Sequence, residues 1–463
     1  MRYRLSRTLS SGAVALALTL TVGCGSSSES TDSPGGSDTA PGADVLKSAG
    51  PVTVSFWHAM KGANAEALNT LVAKFNAEHS GKITVKPTFQ GSYDDTITKY
   101  KAAVQAKQTP SLVQIYDVGS GFMADSGQTI PAQAFADVDK VDMADVQPAI
   151  KGYYSRGGKL QSMPFNSSMP LLYINKTAFT KAGLDPAKPP TNLDDIRTAA
   201  EKIKASGAAK FGFGAAIYGW FFEQLTAQAG KTYCNNDNGR TTRATAVTFD
   251  DPAQVKVLTW WKGMVDDGLA TNTGRKTDDA QAAFKSGTVA MHLESTGALG
   301  GYVKAAAGKF EVATAPFPKT QASDTGGPII GGASLWIGKE GHSAAEQRAS
   351  WEFGQFVLKP ANAAYWHTAT GYFPITKSAL NEEIDKKWVA EKPQFKTAID
   401  QLAATPEGVP TQGCLLGVLP QVRALVEVAM ESVLTSDKDP KAALDEAASQ
   451  AKALIEKYNS AVK

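Results

Sequence analysis

VTVSFW at Val52–Trp57, ITVKPTF at Ile83–Phe89 and LVQIYDV at Leu112–Val118 are three short apolar or alternating runs of strand length. Between the first two, Leu68, Leu71, Val72 and Phe75 recur at helical spacing. Between the second and third, Ile97, Tyr100, Ala103 and Val104 do the same. This β-α-β-α-β order predicts a parallel sheet with right-handed crossovers. Ligands on such sheets bind at the carboxyl ends of the strands. Trp57 and His58, then Gln90, Gly91 and Tyr93, then Tyr116 and Asp117 stand at those ends, so polar and aromatic groups converge on one crevice.

Downstream, Pro164–Ser168 and Leu171–Asn175 read as a strand interrupted by polar residues. Phe211–Ile217, Val289–Leu293 and Ile329–Ile337 read as further strands. Thr177–Ala182, Leu193–Ile203 and Gln254–Val265 read as helices. Trp260 and Trp261 keep register with Val257 and Met264 in the last of these, which assigns them to the core. From Ala345 the pattern is mostly helical, ending in the charged amphipathic stretch Pro440–Ala461.

Upstream, Arg2, Arg4 and Arg7, the apolar run Ala13–Val22, and Gly23 before Cys24 form the leader of a bacterial lipoprotein precursor. Thr21 stands where Leu is usual, and an ordinary signal peptide is the alternative; both imply export. Residues 25–50 are dominated by Ser, Gly, Asp, Thr and Pro, a composition expected of a flexible tether. A lipid on Cys24 would then be the only anchor, holding the body at the outer face of the cytoplasmic membrane.

The formal net charge of +2 over 463 residues offers no basic stripe for nucleic acid. With Cys24 lipidated, Cys234 and Cys414 remain. An even remainder outside the cytoplasm favours a disulfide worth roughly 4 to 5 kcal/mol in the chain-entropy model, with two buried thiols as the alternative. The histidines at 58, 79, 292, 342 and 367 have no metal-ligand spacing. No GxSxG, HExxH or phosphate-loop motif occurs, so neither a cofactor nor hydrolysis is indicated.

Six strings carry a resemblance over nearly the whole exported chain: Ser55–Met60, Gln114–Gly119, Pro164–Ser168, Ile329–Trp336, Thr370–Thr376 and Pro420–Arg423. They resemble the glycerol-3-phosphate-binding subunit of ABC importers, within the family 1 extracellular solute-binding proteins, and more distantly maltose-binding protein. The resemblance implies a two-lobed α/β periplasmic-binding-protein-like fold of type II, with ligand trapped between the lobes. The first lobe would comprise 51–165 plus 331–373, and the second 166–330 plus 374–463. A monomer would deliver its small-molecule ligand to the permease subunits and catalyse nothing itself.

Carried over position by position, the family's pocket falls on Tyr93, Asp117, Ser168, Trp220, Ser295, Gly332, Tyr372 and Arg423, with Ile217, Tyr218 and His58 shaping it. Arg423 offers a fork for phosphate oxygens, Gly332 an amide that no side chain shields, and Asp117 an acceptor for a glycerol diol. The chain departs from the family's pattern twice. Ile217 stands where glycerol phosphate binders carry Trp, which enlarges the pocket. Asp117 stands where Glu is usual, which shortens the reach by ~1.5 Å. With a single cation in the set, a singly charged glycerophosphodiester such as glycerophosphocholine is expected to suit the site at least as well as a nearly dianionic monoester, with Trp220 and Tyr218 or Tyr93 facing the quaternary ammonium. A sugar-binding relative is the alternative. A secreted glycerophosphodiesterase would need a metal cluster or a nucleophile with its base.

Overall fold

The computed structural model of the chain describes Thr39–Val462, so the leader and Cys24 lie outside the described residues. β1 (Val52–His58) turns Val54 and Phe56 inward, and α1 (Gly62–Glu78) buries the stripe Leu68, Leu71, Val72 and Phe75. β2 (Ile83–Phe89) runs parallel to β1 with Ile83 opposite Val52. α2 (Tyr93–Ala106) opens on a capping box: Ser92 Oγ accepts from Asp95 N, and Asp95 Oδ2 accepts from Ser92 N. β3 (Leu112–Tyr116), buried along its whole length, adds parallel to the other side of β1. β4 (Thr129–Ile130) and β5 (Met163–Ser168) complete the first pass through this sheet.

Met169 alone separates β5 from β6 (Pro170–Asn175), which belongs to a second sheet. There β7 (Phe211–Ala215), β8 (Ala270–Asn272), β9 (Val289–Ser295) and β10 (Val312–Pro316) give the order β8-β7-β9-β6-β10. The pairs to β7 are parallel and those to β6 antiparallel. The chain then returns as β11 (Gly331–Gly338), antiparallel to β3, β4 and β5, so the first sheet reads β2-β1-β3-β11-β4 with β5 also on β11. The architecture is two-lobed α/β, one sheet to a lobe.

Helices cover both sheets. α3 (Leu193–Ser206) lays Leu193, Ile196, Ala199, Ala200 and Ile203 on the second sheet. α4 (Gly219–Gln228), α5 (Pro252–Asp266) and α6 (Thr277–Lys285) follow. α7 (Ala344–Leu358) sets Phe353 and Phe356 edge-on to Phe75 of α1 at 5.2 and 5.3 Å, and α8 (Pro360–Thr370) lies against α1. α9 (Leu419–Ser436) and α10 (Pro440–Ala461) pack on each other and on α5. Trp261 is buried in the core, and half-buried Trp260 donates its Nε1–H to Leu193 O at 3.0 Å.

Three expectations shift. The tether does not reach residue 50: Ala40 is buried and a short helix, Val45–Ser48, packs on α7 through Leu46, because this end of the segment does carry apolar side chains. Residues 166–168 complete β5 of the first sheet rather than opening the second lobe. The segment after Pro374 starts against the first lobe: Ile375 O accepts from Gln147 N, and Asp385 pairs with His367 of α8 at 2.5 Å. The short strands β8 and β10, at the edges of the second sheet, carry too little periodicity to be seen in sequence.

Candidate functional site

The end of β3 places the first site residue. Tyr116 closes the strand, and Asp117 opens a 3-10 turn in which its Oδ1 accepts from Val118 N at 2.8 Å. Its carboxylate is 6% exposed and faces Arg423, with Nη1 to Oδ1 at 3.7 Å. Burial pushes the Asp117 carboxyl up to about 6; Arg423 opposes the shift, and Glu223 and Asp94 add to it.

Arg423 lies on the buried face of α9 with Leu419, Val422, Val426 and Met430. Its stem rests on Gly219, the first residue of α4, where a Cβ would come 2.6 Å from Arg423 Cγ. The guanidinium is not a free fork. Nε and Nη2 donate to the two carboxylate oxygens of Glu223, each at 2.7 Å, and Nη1 donates to Tyr218 OH at 3.2 Å. One edge belongs to Glu223, and the Nη1/Nη2 edge retains the remaining N–H donors. Burial opposes the charge on Arg423, but Glu223, Tyr218 and Asp117 hold its proton well above the ordinary arginine range.

α4 supplies the other side. All its residues are buried, and Trp220, Glu223 and Gln224 share one face by their i, i+3, i+4 spacing. Together with Asp117 they line a cavity of about 10 Å3, which is about the room one water needs. Trp220 Nε1, Gln224 Nε2 and Tyr233 OH, all on residues lining that cavity, have no hydrogen-bond partner among the described residues. Ile217 is buried just before Tyr218, its amide donating to Gly274 O at 2.8 Å.

Two of the predicted residues, Tyr93 and Tyr372, end a polar chain that begins at Gln114. Gln114 on β3 accepts from Ala59 N at 2.8 Å and donates to Asn166 Oδ1 at 2.7 Å. Asn166 on β5 donates to Tyr93 OH at 2.8 Å, and Tyr93 OH lies 3.4 Å from Tyr372 OH. Tyr93 stacks on Tyr116 at 5.4 Å, and the Tyr116 and Tyr218 rings both face Arg423, at 5.9 and 5.3 Å. The two groups thus join through aromatic rings, and one face of Tyr218 is already covered by the guanidinium.

The remaining candidates serve the frame. Ser168 ends β5, paired with Gly331. Gly332 has φ +88° beside a register shift in β11, and a Cβ there would overlap Asn166 O, so its glycine is required by the close approach of β5. Ser295 caps the turn after β9, its Oγ accepting from Gly297 N at 3.2 Å, and the Tyr372 ring packs on Gly297. His58 stands apart from the Arg423 cluster. Its Nδ1 accepts from Met60 N at 3.2 Å, and burial lowers its pKa to about 4, so the ring is neutral at physiological pH. Cys234 and Cys414 are joined, Cα to Cα 5.8 Å, tying the loop after α4 to the segment that leads into α9.

Sequence reasoning missed Glu223, Gln224 and Asn166. Glu223 had a signal: a carboxylate inside Trp-Phe-Phe-Glu-Gln-Leu is a charge in an apolar helix, which demands a buried cation.

Two sheets joined by crossings, with charged and aromatic groups buried where they meet, define a two-lobed binding protein. A family model described as bacterial extracellular solute-binding protein matches residues 70–397, and the chain belongs to that family. The sn-glycerol-3-phosphate-binding periplasmic protein UgpB of Escherichia coli K12 is 34% identical over 416 residues, 89% of this chain and 94% of that protein. UgpB from Mycobacterium tuberculosis, solved with glycerophosphocholine, superposes with a TM-score of 0.75 at 23% identity, covering 89% of this chain and 99% of its own. The GacH receptor of Streptomyces glaucescens, solved unliganded and with acarbose, does so at 0.74 and 21%, covering 88% and 99%. At these two identities the likeness is one of fold.

Proposed function

We propose that the chain captures sn-glycerol 3-phosphate or a glycerophosphodiester such as glycerophosphocholine outside the cytoplasmic membrane and hands it to an ABC permease, acting by binding and release without catalysis. It does so as a monomer anchored through a lipid on Cys24. The observation that carries the ligand class is the buried Arg423 opposite Asp117, within a chain 34% identical to a glycerol-3-phosphate-binding protein. The phosphate meets the Nη1/Nη2 edge of Arg423, and the glycerol hydroxyls reach Asp117 and the tyrosines. Ile217, where glycerol phosphate binders carry Trp, is the sequence difference that favours a ligand with a second phosphate substituent.

Calorimetric titration of residues 25–463 with glycerol 3-phosphate, glycerophosphocholine and maltose tests this reading. Binding of either phosphate with maltose silent supports it. Heat from maltose alone replaces it with sugar capture, and Arg423→Ala should then leave that affinity almost intact.

A further inference from the structure

The charges around Arg423 do not balance. One buried guanidinium serves two buried carboxylates, Glu223 at 2.7 Å through two hydrogen bonds and Asp117 at 3.7 Å. The groups packed around them add acid rather than base. Asp94 accepts from Tyr116 OH at 2.7 Å, and Glu427 on α9 accepts from Gly219 N at 2.9 Å. Tyr153, Tyr218 and Tyr233 are neutral phenols, burial raising each above the ordinary tyrosine range. Two further arginines are occupied elsewhere: Arg240 donates to the carbonyls of Tyr153, Gln412 and Gly413, and Arg275 pairs with Glu431. An anionic ligand that reaches the open edge of Arg423 therefore enters a site already carrying excess negative charge.

Resting on the reading that a phosphate group binds at Arg423, we propose that Glu223 sets the charge balance of the cleft, so that an anionic ligand is captured together with one proton, taken up by the buried carboxylate pair. Glu223 is a positioning residue: it holds one edge of the guanidinium and turns the other outward, and its charge is what makes the proton necessary. Asp117 receives the proton, because it is the less well paired carboxylate, held at 3.7 Å where Glu223 has two bonds, and because its carboxyl already titrates at about 6. An incoming anion raises it further. Affinity then falls as pH rises above about 6, by up to about tenfold per pH unit, the slope equal to the protons taken up.

The test uses the mature chain and glycerophosphocholine, whose diester does not ionise near neutrality. Affinity is measured from pH 5.5 to 8.5, with calorimetry in two buffers of different protonation enthalpy. The wild type should take up roughly half a proton or more per ligand near pH 7. Asp117→Asn should abolish the slope. Glu223→Gln should flatten it and raise affinity at pH 8 by about tenfold. PH-independent binding with no buffer dependence overturns the proposal while leaving the ligand reading intact. Glu223→Gln that weakens binding at every pH and keeps the slope also overturns it, since a pure buttress behaves that way. Should this variant fail to fold, the wild-type proton count still decides. Binding of no phosphate ligand at any pH removes the underlying reading and the proposal with it.

Discussion

At Gly332 one hydrogen atom separates a tolerated backbone from a collision. With φ at +88° and Asn166 O in the space of a Cβ, Gly332→Ala pays both backbone strain and overlap. The variant should lose about 2 to 4 kcal/mol of unfolding free energy, read as a lower urea midpoint; an unchanged midpoint would show that β5 gives way freely. Asp117 shows the opposite economy. Its folded pKa of about 6 lies above the ordinary carboxylate value of 3.8, so its contribution to stability is fully present below about pH 4 and is lost as pH rises through 6. Asp117→Asn should therefore stabilise the ligand-free protein at pH 7.5, on the order of 3 kcal/mol, with the gain fading towards pH 4. Thermal melts of both proteins across that range check the sign. Oδ1 makes both polar contacts of Asp117, so the amide oxygen of Asn inherits them.

α4 and α9 form the element-scale unit of the site. They come from distant parts of the chain, and their contact is fastened by the Glu223–Arg423 pair and by the Cys234–Cys414 bond at a sequence separation of 180. A loop of that length is worth up to about 5 kcal/mol in the chain-entropy model. Cys414→Ser should lower the melting temperature markedly, and the wild type under reductant should melt with it; equal melting of oxidised and reduced protein would deny the bond a role. Elements were legible in sequence wherever a period was strong. The stripe of α1, the alternation of β2 and the apolar β3 all stood where expected, because side-chain period is a local property. The edge strands β8 and β10 did not announce themselves, being too short or too little buried to alternate.

At the scale of the whole molecule, the lobes meet along a rim as well as at the site. Lys61 at the start of α1 pairs with Asp278 of α6 at 2.5 Å, and Asn64 donates to Gly297 O at 3.1 Å. Deeper in, the Tyr372 ring of the first lobe packs on Gly297 of the second. The Lys61 pair is 60% and 62% exposed, so it contributes little. Lys61→Ala should change ligand affinity by less than about fivefold while speeding release. Stopped-flow dissociation and small-angle scattering would separate that from a variant that holds the lobes open.

The β-α-β-α-β opening of the first sheet and the family were determined by sequence alone, because hydrophobic period and motif are written in neighbouring residues. Where the lobes divide, why Gly332 must be glycine, and which carboxylate holds Arg423 were decided only in three dimensions. Glu223 and Arg423 stand 200 residues apart, and no local pattern couples them. Their pairing follows from two helices burying their faces against each other, which takes both charges out of water and makes a close ionic partner necessary for each.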